Sequence, residues 1–508
     1  MANNVKPFLW QKINNMYNDN TTAELEEVMA KAVSAFHQYK TYSLAQRAHF
    51  MRSIAREIEA LGDELIQTAM AETNLPEARL QGERGRTMFQ LNSYADATEQ
   101  GNWLEASIDT AVAEKTPPKP DLRKMLVPLG PVVVFGASNF PFAYSTAGGD
   151  TACAFAAGCP VIVKAHPAHA KTSTLMATAI LKAAEKCNMP EGIFSHVYGA
   201  GFEVGEFLAK NDAVKAIGFT GSFGGGKALF DWANQRKNPI PVFAEMGSVN
   251  PVFILPEKVA TEGAGLAKQM AGSITLGMGQ FCTNPGLIIA IDNEDLQGFL
   301  QNLKTEIESI SAAKMLHPGI AANYAQKLDK ALTQKGVELL TETAEIEEGK
   351  GLISLATTSG ANFLANPVLH QEVFGPYSLI IKCADEQELL AVAKALEGQL
   401  TATLMATVND IRAHQELLTY VQDICGRLIF NNVPTGVDVS LPMHHGGPYP
   451  ASTDSRFTSV GADGIKRFAR PLSYQNWDNE FLPAELKNEN PLGIWRTVNN
   501  ELTKDQIN

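Results

Sequence analysis

The chain has 508 residues, which is too long for one compact core and indicates two or three domains. It is 45% hydrophobic and 19% charged, the composition of an ordinary globular protein. The net charge of −13 disfavours binding to a phosphate backbone, so no nucleic-acid partner is expected.

Targeting and membrane signals are weak in this sequence. No window approaches the ~18 apolar residues of a membrane span, and residues 1–20 lack the apolar core of a signal peptide. The six cysteines are scattered without paired zinc-ligand spacing and indicate free thiols in a reducing compartment. We therefore expect a cytoplasmic protein without a membrane partner.

In chain order, residues 20–70 show helical periodicity, with Leu25, Met29 and Ala32 on one face. The segment TPPKP at 116–120 breaks the pattern, and the apolar stretch 141–159 indicates a buried helix. Between these helical patterns stand short apolar runs, a signature of βαβ units on a parallel sheet. The runs are PVVVF, PVIVKA, FSHVYGA, VKAIGFTGS and PVFAEMG.

The alternation restarts after about residue 250 and predicts a second α/β domain. Its runs are PVFIL, GLIIAID, YSLIIKC and ATLMATV. The tail from Leu472 onward is less regular, and we interpret it as a candidate for contacts between subunits.

One thiol, Cys282, stands among small and turn-forming residues in GQFCTNPG, at 279–286. Most cysteines are inert core residues, whereas a nucleophilic one needs access and a group that produces the thiolate. From this segment alone both interpretations stay open.

The segment FTGSFGGGK, at 219–227, follows an apolar run and opens a helix, with Gly221 and Gly226 spaced G-x-x-x-x-G. Such a turn lets backbone N–H groups approach a phosphate. It is neither the G-x-G-x-x-G fingerprint nor a nucleotide-triphosphate loop. A plain glycine-rich turn is the alternative.

Four more polar residues stand at strand ends or turns. The Asn139 amide could donate to an oxyanion, and Glu245 could act as a general base. Glu372 precedes a Phe-Gly-Pro turn, and Lys164 ends a strand where its ammonium could bind sugar hydroxyls. For each one, an ordinary turn, cap or surface residue is the alternative.

Together, the order and spacing of these residues resemble the aldehyde dehydrogenase superfamily over roughly residues 20–475. The resemblance implies an α/β fold with a Rossmann-type cofactor domain, an α/β catalytic domain and a small oligomerisation element. It also implies a homodimer or homotetramer. The expected units are a cofactor domain (1–106 and 127–248), a catalytic domain (249–440), an oligomerisation element (107–126 and 470–508), and a return to the cofactor domain and substrate pocket (441–469).

The resemblance also implies a reaction. Cys282 would attack a small-molecule aldehyde to form a thiohemiacetal, whose oxyanion Asn139 and the backbone N–H of Cys282 would hold. After hydride transfer, Glu245 would activate water to hydrolyse the thioester and would help to deprotonate the thiol.

Cofactor contacts follow from the same resemblance. Glu372 would bind the nicotinamide ribose, and Phe374 would pack near the ring. Lys164 would contact the adenosine ribose. The pyrophosphate would lie against Ser222 and the turn between Gly221 and Gly226.

One departure concerns the choice between NAD and NADP. Many NAD-preferring relatives carry a Glu three residues after the lysine, a position that is Pro167 here. A carboxylate there would repel a 2′-phosphate by about 4 kcal/mol at ~4 Å. Without it, and with Lys164 and His166 or His169 nearby, we expect NADP to be preferred or both cofactors to be used.

Within the family, four segments resemble the enzymes that oxidise 2,5-dioxopentanoate (α-ketoglutaric semialdehyde) to 2-oxoglutarate. They are LPEARLQGERGRT, GASNFPFA, VIVKAHPAH and HHGGPYPASTDSRFTSVG. A substrate carboxylate calls for a cation, for which Arg84, Arg86 and Arg456 are candidates, while Phe140 is a candidate substrate contact. A structural salt bridge is the alternative for each arginine.

Other functions stay open at this point. They are an NADP-dependent fatty or other aliphatic aldehyde dehydrogenase, an acylating enzyme that passes the thioester to coenzyme A, and a catalytically silent paralogue. His444 and His445 lie in a glycine-rich loop without metal-ligand spacing such as H-E-x-x-H, so no metal is expected.

Overall fold

The computed structural model describes residues 17–342 and 347–507. Of the units expected from the sequence, residues 1–16, 343–346 and 508 lie outside the described residues. The division into domains stays a prediction.

The α-helices within these ranges follow the chain order. They are α1 (Thr22–Tyr39), α2 (Leu44–Ala60), α3 (Gly62–Thr73), α4 (Glu77–Gln100), α5 (Gly149–Ala157), α6 (Ala170–Lys186), α7 (Glu203–Lys210), α8 (Phe223–Asn234), α9 (Pro256–Thr275), α10 (Glu294–Glu308), α11 (Pro318–Leu332), α12 (Gly360–Ala365), α13 (Glu386–Lys394), α14 (Val408–Ala413) and α15 (Gln415–Ile424).

The strands form three sheets. They are β1 (Ser107–Asp109), β2 (Leu122–Pro128), β3 (Val132–Phe135), β4 (Val161–Lys164), β5 (Phe194–Val197), β6 (Ala216–Thr220), β7 (Val242–Glu245), β8 (Val252–Ile254), β9 (Leu287–Ile291), β10 (Glu338–Leu339), β11 (Ser354–Ser359), β12 (Tyr377–Cys383), β13 (Gln399–Met405), β14 (Cys425–Phe430), β15 (Ala469–Gln475), β16 (Arg496–Val498) and β17 (Glu501–Thr503).

The first sheet has the order β5-β4-β3-β6-β7, and all its pairs are parallel. The chain leaves β3 towards one side and later returns to its other side, so the sheet is doubly wound. In such sheets ligands bind outside the carboxyl ends of the strands. Lys164 and Glu245 stand at two of these ends.

The second sheet has the order β10-β11-β12-β9-β8-β13-β14 and is parallel except for β10. Its central strands are apolar at successive positions because helices cover both faces. Phe253 packs in one buried cluster, whereas its neighbours Val252 and Ile254 pack in another on the opposite face.

The third sheet, β15-β2-β1-β16-β17, joins residues 107–128 to residues 469–503. It is antiparallel except for the β1–β16 pair. Two short strands, β16 and β17, thus lie within the irregular tail, and β17 forms one edge of the sheet.

The apolar runs singled out in the sequence are strands in the structure, and residues 20–70 are helical as expected. In the stretch 141–159 the helix is α5 alone, and residues 141–148 form turns that precede it. Among the described residues, no helix is long and apolar enough to cross a membrane.

Candidate active site

The segment that carries Cys282 departs from regular structure for a steric reason. After α9 ends, Gly277, Met278 and Gly279 adopt positive φ angles of 54°, 56° and 61°. A Cβ at Gly279 would stand 2.2 Å from the carbonyl oxygen of Gly375. Only glycine permits this approach, and the turn that results leaves Cys282 half-buried.

Asn250, in the crossing between the first and second sheets, fixes the same turn. Its backbone is left-handed, with φ 44°. The buried amide donates to the carbonyl oxygens of Cys282 at 2.8 Å and Asn284 at 3.0 Å. The Asn284 amide in turn donates to the Gly375 carbonyl at 3.2 Å. The backbone around the thiol is therefore held from two sides.

Three side chains from distant parts of the chain meet at the thiol. His445 Nε2 lies 2.8 Å from Glu245 Oε1 and 3.5 Å from Cys282 Sγ. The Ser459 hydroxyl donates to Glu245 Oε2 at 2.7 Å. Because Glu245 and His445 are both buried, the carboxylate is shielded from bulk water. It accepts one hydrogen bond from Ser459 and makes an ion-pair contact with His445.

The pKa values of the Glu245 carboxyl and the Cys282 thiol are shifted in opposite directions. Burial raises the pKa of the Cys282 thiol well above its usual range, and the negative charge of Glu245 adds to that effect. Burial would also raise the pKa of Glu245, but His445, Ser459 and the thiol outweigh it and leave that pKa below its ordinary value. At neutral pH the site therefore holds a carboxylate beside a protonated thiol.

Asn139 is positioned by one face of α4. Glu83 accepts the backbone N–H groups of Phe142 and Ala143 at 2.8 and 3.0 Å. Arg79 donates to the Asn139 carbonyl at 3.2 Å. The Asn139 amide itself donates to the Gln280 carbonyl at 3.1 Å, two residues before the cysteine.

A cavity beside the thiol matches the expected nicotinamide end. It is lined by Ser248, Phe281, Glu372 and Phe374, among others. Burial raises the pKa of Glu372 to about 7. A half-buried carboxyl that lines this cavity fits a ligand that brings hydroxyl groups.

The expected adenosine and pyrophosphate contacts stand at the carboxyl ends of β4 and β6. Burial lowers the pKa of Lys164 to about 8. Ser222 caps α8 by accepting the Gly225 N–H at 3.3 Å, and the Gly221 N–H donates to the Glu245 carbonyl at 3.1 Å. A Cβ at Gly226 would stand 2.7 Å from Met246, so glycine brings the helix close to the neighbouring strand. A helix N-terminus in this position fits a pyrophosphate.

With this geometry in place, comparison with known proteins decides the family. A model described as the aldehyde dehydrogenase family matches residues 2–469. The chain belongs to the aldehyde dehydrogenase family. The sequence is also similar to two curated relatives, both α-ketoglutaric semialdehyde dehydrogenases. One, from Azospirillum brasilense, is 48% identical over 479 residues, covering 93% of this chain and 91% of that protein. The other, from Acinetobacter baylyi, is 43% identical over 503 residues, covering 98% and 94%.

Solved structures agree on the fold. A glyceraldehyde-3-phosphate dehydrogenase from Methanocaldococcus jannaschii, complexed with NADP, superposes with a TM-score of 0.75 at 18% identity, covering 90% of this chain and 95% of that one. A 1-pyrroline-5-carboxylate dehydrogenase from Thermus with bound NAD gives 0.75 at 20% identity, covering 90% and 86%. The expected aldehyde dehydrogenase fold is thereby confirmed.

Of the three arginines expected to bind a substrate carboxylate, only Arg86 faces this aldehyde dehydrogenase's site. It donates to the Tyr144 hydroxyl at 3.1 Å and to the Val437 carbonyl. Arg84 lies two residues earlier on α4, hence on the opposite face, and donates to the Gly62 carbonyl. Arg456 is 79% exposed and forms an ion pair with Asp454. The structure does not bring Arg84 or Arg456 to the site.

Phe140, expected as a substrate contact, packs edge-on against Phe281 and Tyr144, with ring centroids 5.5 and 5.2 Å apart. The Arg79 guanidinium lies over Phe140 and Phe281, 4.6 and 4.8 Å from the ring centroids. Aromatic rings therefore flank the approach to the thiol.

Sequence reasoning missed two residues of this site. His445 was considered only as a metal ligand, and nothing in its spacing links it to Glu245. Arg427, on β14, lies close enough to Cys282 and Tyr144 for their charges to interact, and its Nε is buried without a hydrogen-bond partner among the described residues. A lone arginine in a strand carries no sequence signal for such a role.

The same cluster has metal-ligand chemistry. Among the described residues, donor atoms of Glu245, Cys282 and His445 lie within 4.8 Å of one another. The resemblance to aldehyde dehydrogenases implies that the thiol and the carboxylate serve catalysis instead. The absence of a functional metal stays a prediction.

Proposed function

We propose that this aldehyde dehydrogenase oxidises 2,5-dioxopentanoate to 2-oxoglutarate with NAD or NADP. The observation that carries the proposal is the cluster of the half-buried Cys282 with the buried Glu245 and His445. It lies near a cavity lined by Phe281, Glu372 and Phe374. Two relatives that are named α-ketoglutaric semialdehyde dehydrogenases, each more than 40% identical over nearly the whole chain, support the substrate.

Activation of the thiol begins the reaction. The Cys282 proton passes to the Glu245 carboxylate, and Sγ attacks the aldehyde carbon to give a thiohemiacetal. The alkoxide accepts hydrogen bonds from the backbone N–H of Cys282 and from the Asn139 amide, which has two N–H groups and uses one on the Gln280 carbonyl.

Glu372, Lys164, Ser222 and the turn from Gly221 to Gly226 would hold the cofactor, and Phe374 would pack near its nicotinamide. When bound, NAD or NADP supplies the ring that accepts hydride from the thiohemiacetal. Glu245 next releases the thiol proton to solvent. It then removes a proton from the water that attacks the thioester, and Cys282 Sγ leaves as the carboxylic acid forms. His445 and Ser459 hold the Glu245 carboxyl in place for both proton transfers and favour its ionised form before each one.

The substrate carboxylate would lie at the cationic side of the approach to Cys282. Arg86 and Arg427 both stand there, and both also donate to carbonyl oxygens of residues 434–437. An arginine suits a carboxylate because its planar N–H groups match the two oxygens. We assign the primary contact to Arg86, whose neighbour Tyr144 lies 6.3 Å from His445 between ring centroids.

Substitution of Arg86 tests whether this residue binds the substrate carboxylate. We expect Arg86→Gln to raise KM for 2,5-dioxopentanoate about tenfold or more, since a charged hydrogen bond contributes ~1.5–3 kcal/mol. The constants for hexanal should change little. Arg84→Gln, on the opposite face of α4, is the control and should leave both substrates unaffected. Equal losses on both substrates in Arg86→Gln would assign this arginine to structure alone.

An aliphatic aldehyde is the second candidate substrate, because Phe140 and Phe281 flank the approach to the thiol. The same kinetics decide between the two. A wild-type kcat/KM that is much higher for hexanal than for 2,5-dioxopentanoate would move the assignment to aliphatic aldehydes and leave the chemistry at Cys282 unchanged.

We also propose a cytoplasmic homodimer or homotetramer. The six cysteines of the described residues are free thiols, which favours a reducing compartment.

A further inference from the structure

The segment before α1 is hydrogen-bonded to the chain at the carboxyl end of β5. The Tyr198 N–H donates to Asn20 Oδ1 at 2.8 Å, and the Asn20 N–H donates to the Tyr198 carbonyl at 3.1 Å. The ring of Tyr17 stacks on that of Tyr198 with centroids 5.0 Å apart. These contacts fix the position of the intervening Asp19.

Asp19 reaches into a cavity at the edge of the first sheet. The Ala200 N–H donates to its Oδ1 at 2.9 Å. Asp19 lines this cavity together with Ala165, Pro167 and Tyr198. Lys164 directly precedes Ala165, and the charge of Asp19 partly offsets the burial that lowers its pKa. The carboxylate and the ammonium thus lie close together where the adenosine ribose is proposed to bind.

The histidines that were expected to favour a 2′-phosphate are engaged elsewhere. His166 Nδ1 accepts the Ala168 N–H at 3.1 Å, and burial lowers its pKa well below the usual range. His169 is buried, and its ring bonds to the Ala137 carbonyl at 2.9 Å and to Ser173 at 3.1 Å. Neither ring offers a positive charge to a phosphate at neutral pH.

We propose that Asp19 supplies the carboxylate that Pro167 lacks, accepting a hydrogen bond from the ribose 2′-hydroxyl and repelling a 2′-phosphate. The proposal rests on the proposed cofactor site at Lys164. Asp19 is exposed at the rim of the cavity, and like charges a few ångströms apart repel there. The expectation of NADP or of dual use rests on Pro167 and on the nearby Lys164, His166 and His169. A carboxylate in the cavity shifts the balance between the two cofactors towards NAD.

The role of Asp19 can be tested by measuring how two small probes bind to the full-length protein. No catalytic turnover is needed. Calorimetry would give Kd for adenosine 5′-monophosphate and for adenosine 2′,5′-bisphosphate, which differ only in the 2′-phosphate. We expect the wild type to bind the monophosphate more tightly. Asp19→Asn should shift the Kd ratio towards the bisphosphate by about tenfold or more, because the amide keeps the acceptor for the Ala200 N–H but loses the charge.

Two further variants distinguish a failure of the proposed role of Asp19 from a failure of the proposed cofactor site. Glu26→Gln removes one exposed charge from α1 outside the cavity and should leave the ratio as in the wild type. Lys164→Met should weaken both probes. An unchanged ratio in Asp19→Asn, with both probes weakened by Lys164→Met, would overturn the role of Asp19 alone. No effect of Lys164→Met on either probe would overturn the cofactor site itself.

Discussion

At the scale of single residues, Glu245 depends on its donors. A buried carboxylate is costly unless hydrogen bonds and charges compensate it, and here His445 and Ser459 supply them at 2.8 and 2.7 Å. The same carboxylate keeps the neighbouring thiol protonated. In the wild type the thiolate therefore forms as its proton passes to Glu245, at the moment of attack.

This arrangement makes His445 a positioning residue whose loss shows in the pH profile. His445 lowers the pKa of Glu245, so its removal raises that pKa and the base becomes protonated at higher pH. We expect His445→Gln to move the acid limb of kcat to higher pH. His444→Gln is the control. Identical acid limbs in the two variants would contradict the role of His445.

At the scale of elements, regular strands could be predicted and irregular turns could not. The buried strands β3, β8 and β9 are continuous apolar runs, and such runs are visible in any sequence. The strand β11, with sequence SLATTS, is polar enough to escape that pattern although it is mostly buried. The left-handed turn before Cys282 depends on its fit against Gly375, a contact that sequence spacing does not encode.

Gly279 is the position in this turn with the least space for a side chain. We expect Gly279→Ala to destabilise the protein by roughly 1–3 kcal/mol and to reduce kcat, because a Cβ at φ 61° would strike the Gly375 carbonyl. Gly272→Ala, on an open face of α9, should instead stabilise by about 0.5–1 kcal/mol. Thermal unfolding and steady-state kinetics measure both effects. Equal stability of the two variants would contradict a steric clash at Gly279.

At the scale of the whole molecule, the site gathers residues from both large sheets and from the loop that returns after β14. Cys282, Glu245 and Asn139 were assigned from the sequence through a family resemblance. The structure places a Glu245 oxygen within 4.8 Å of the thiol and holds Asn139 against Gln280. His445 and Asp19 could not be assigned in this way, because each acts through residues far away in the chain.

The edge of the second sheet carries exposed apolar side chains on and beside β14. Phe430 and Val408 are 53% and 61% exposed, and exposed apolar edge strands favour pairing with another chain. We expect a homo-oligomer that Phe430→Lys weakens, measured by light scattering after gel filtration. Leu181→Lys, on α6, is the control. An unchanged mass for Phe430→Lys would place the interface elsewhere.

In the proposed mechanism Cys282 carries the acyl group, and Glu245 releases it by activating water. The most direct measurement is intact and peptide mass spectrometry of Glu245→Gln after reaction with 2,5-dioxopentanoate and cofactor, near the ordinary thiol pKa of about 8.5. Without Glu245 the thiol must ionise into solvent, but it also loses the charge that helps to raise its pKa. We therefore expect slow formation of up to one reduced cofactor per active site and a stable acyl adduct on the peptide that contains Cys282, whereas the wild type turns over without accumulating it. An adduct on another residue, or full turnover by the variant, would contradict the account.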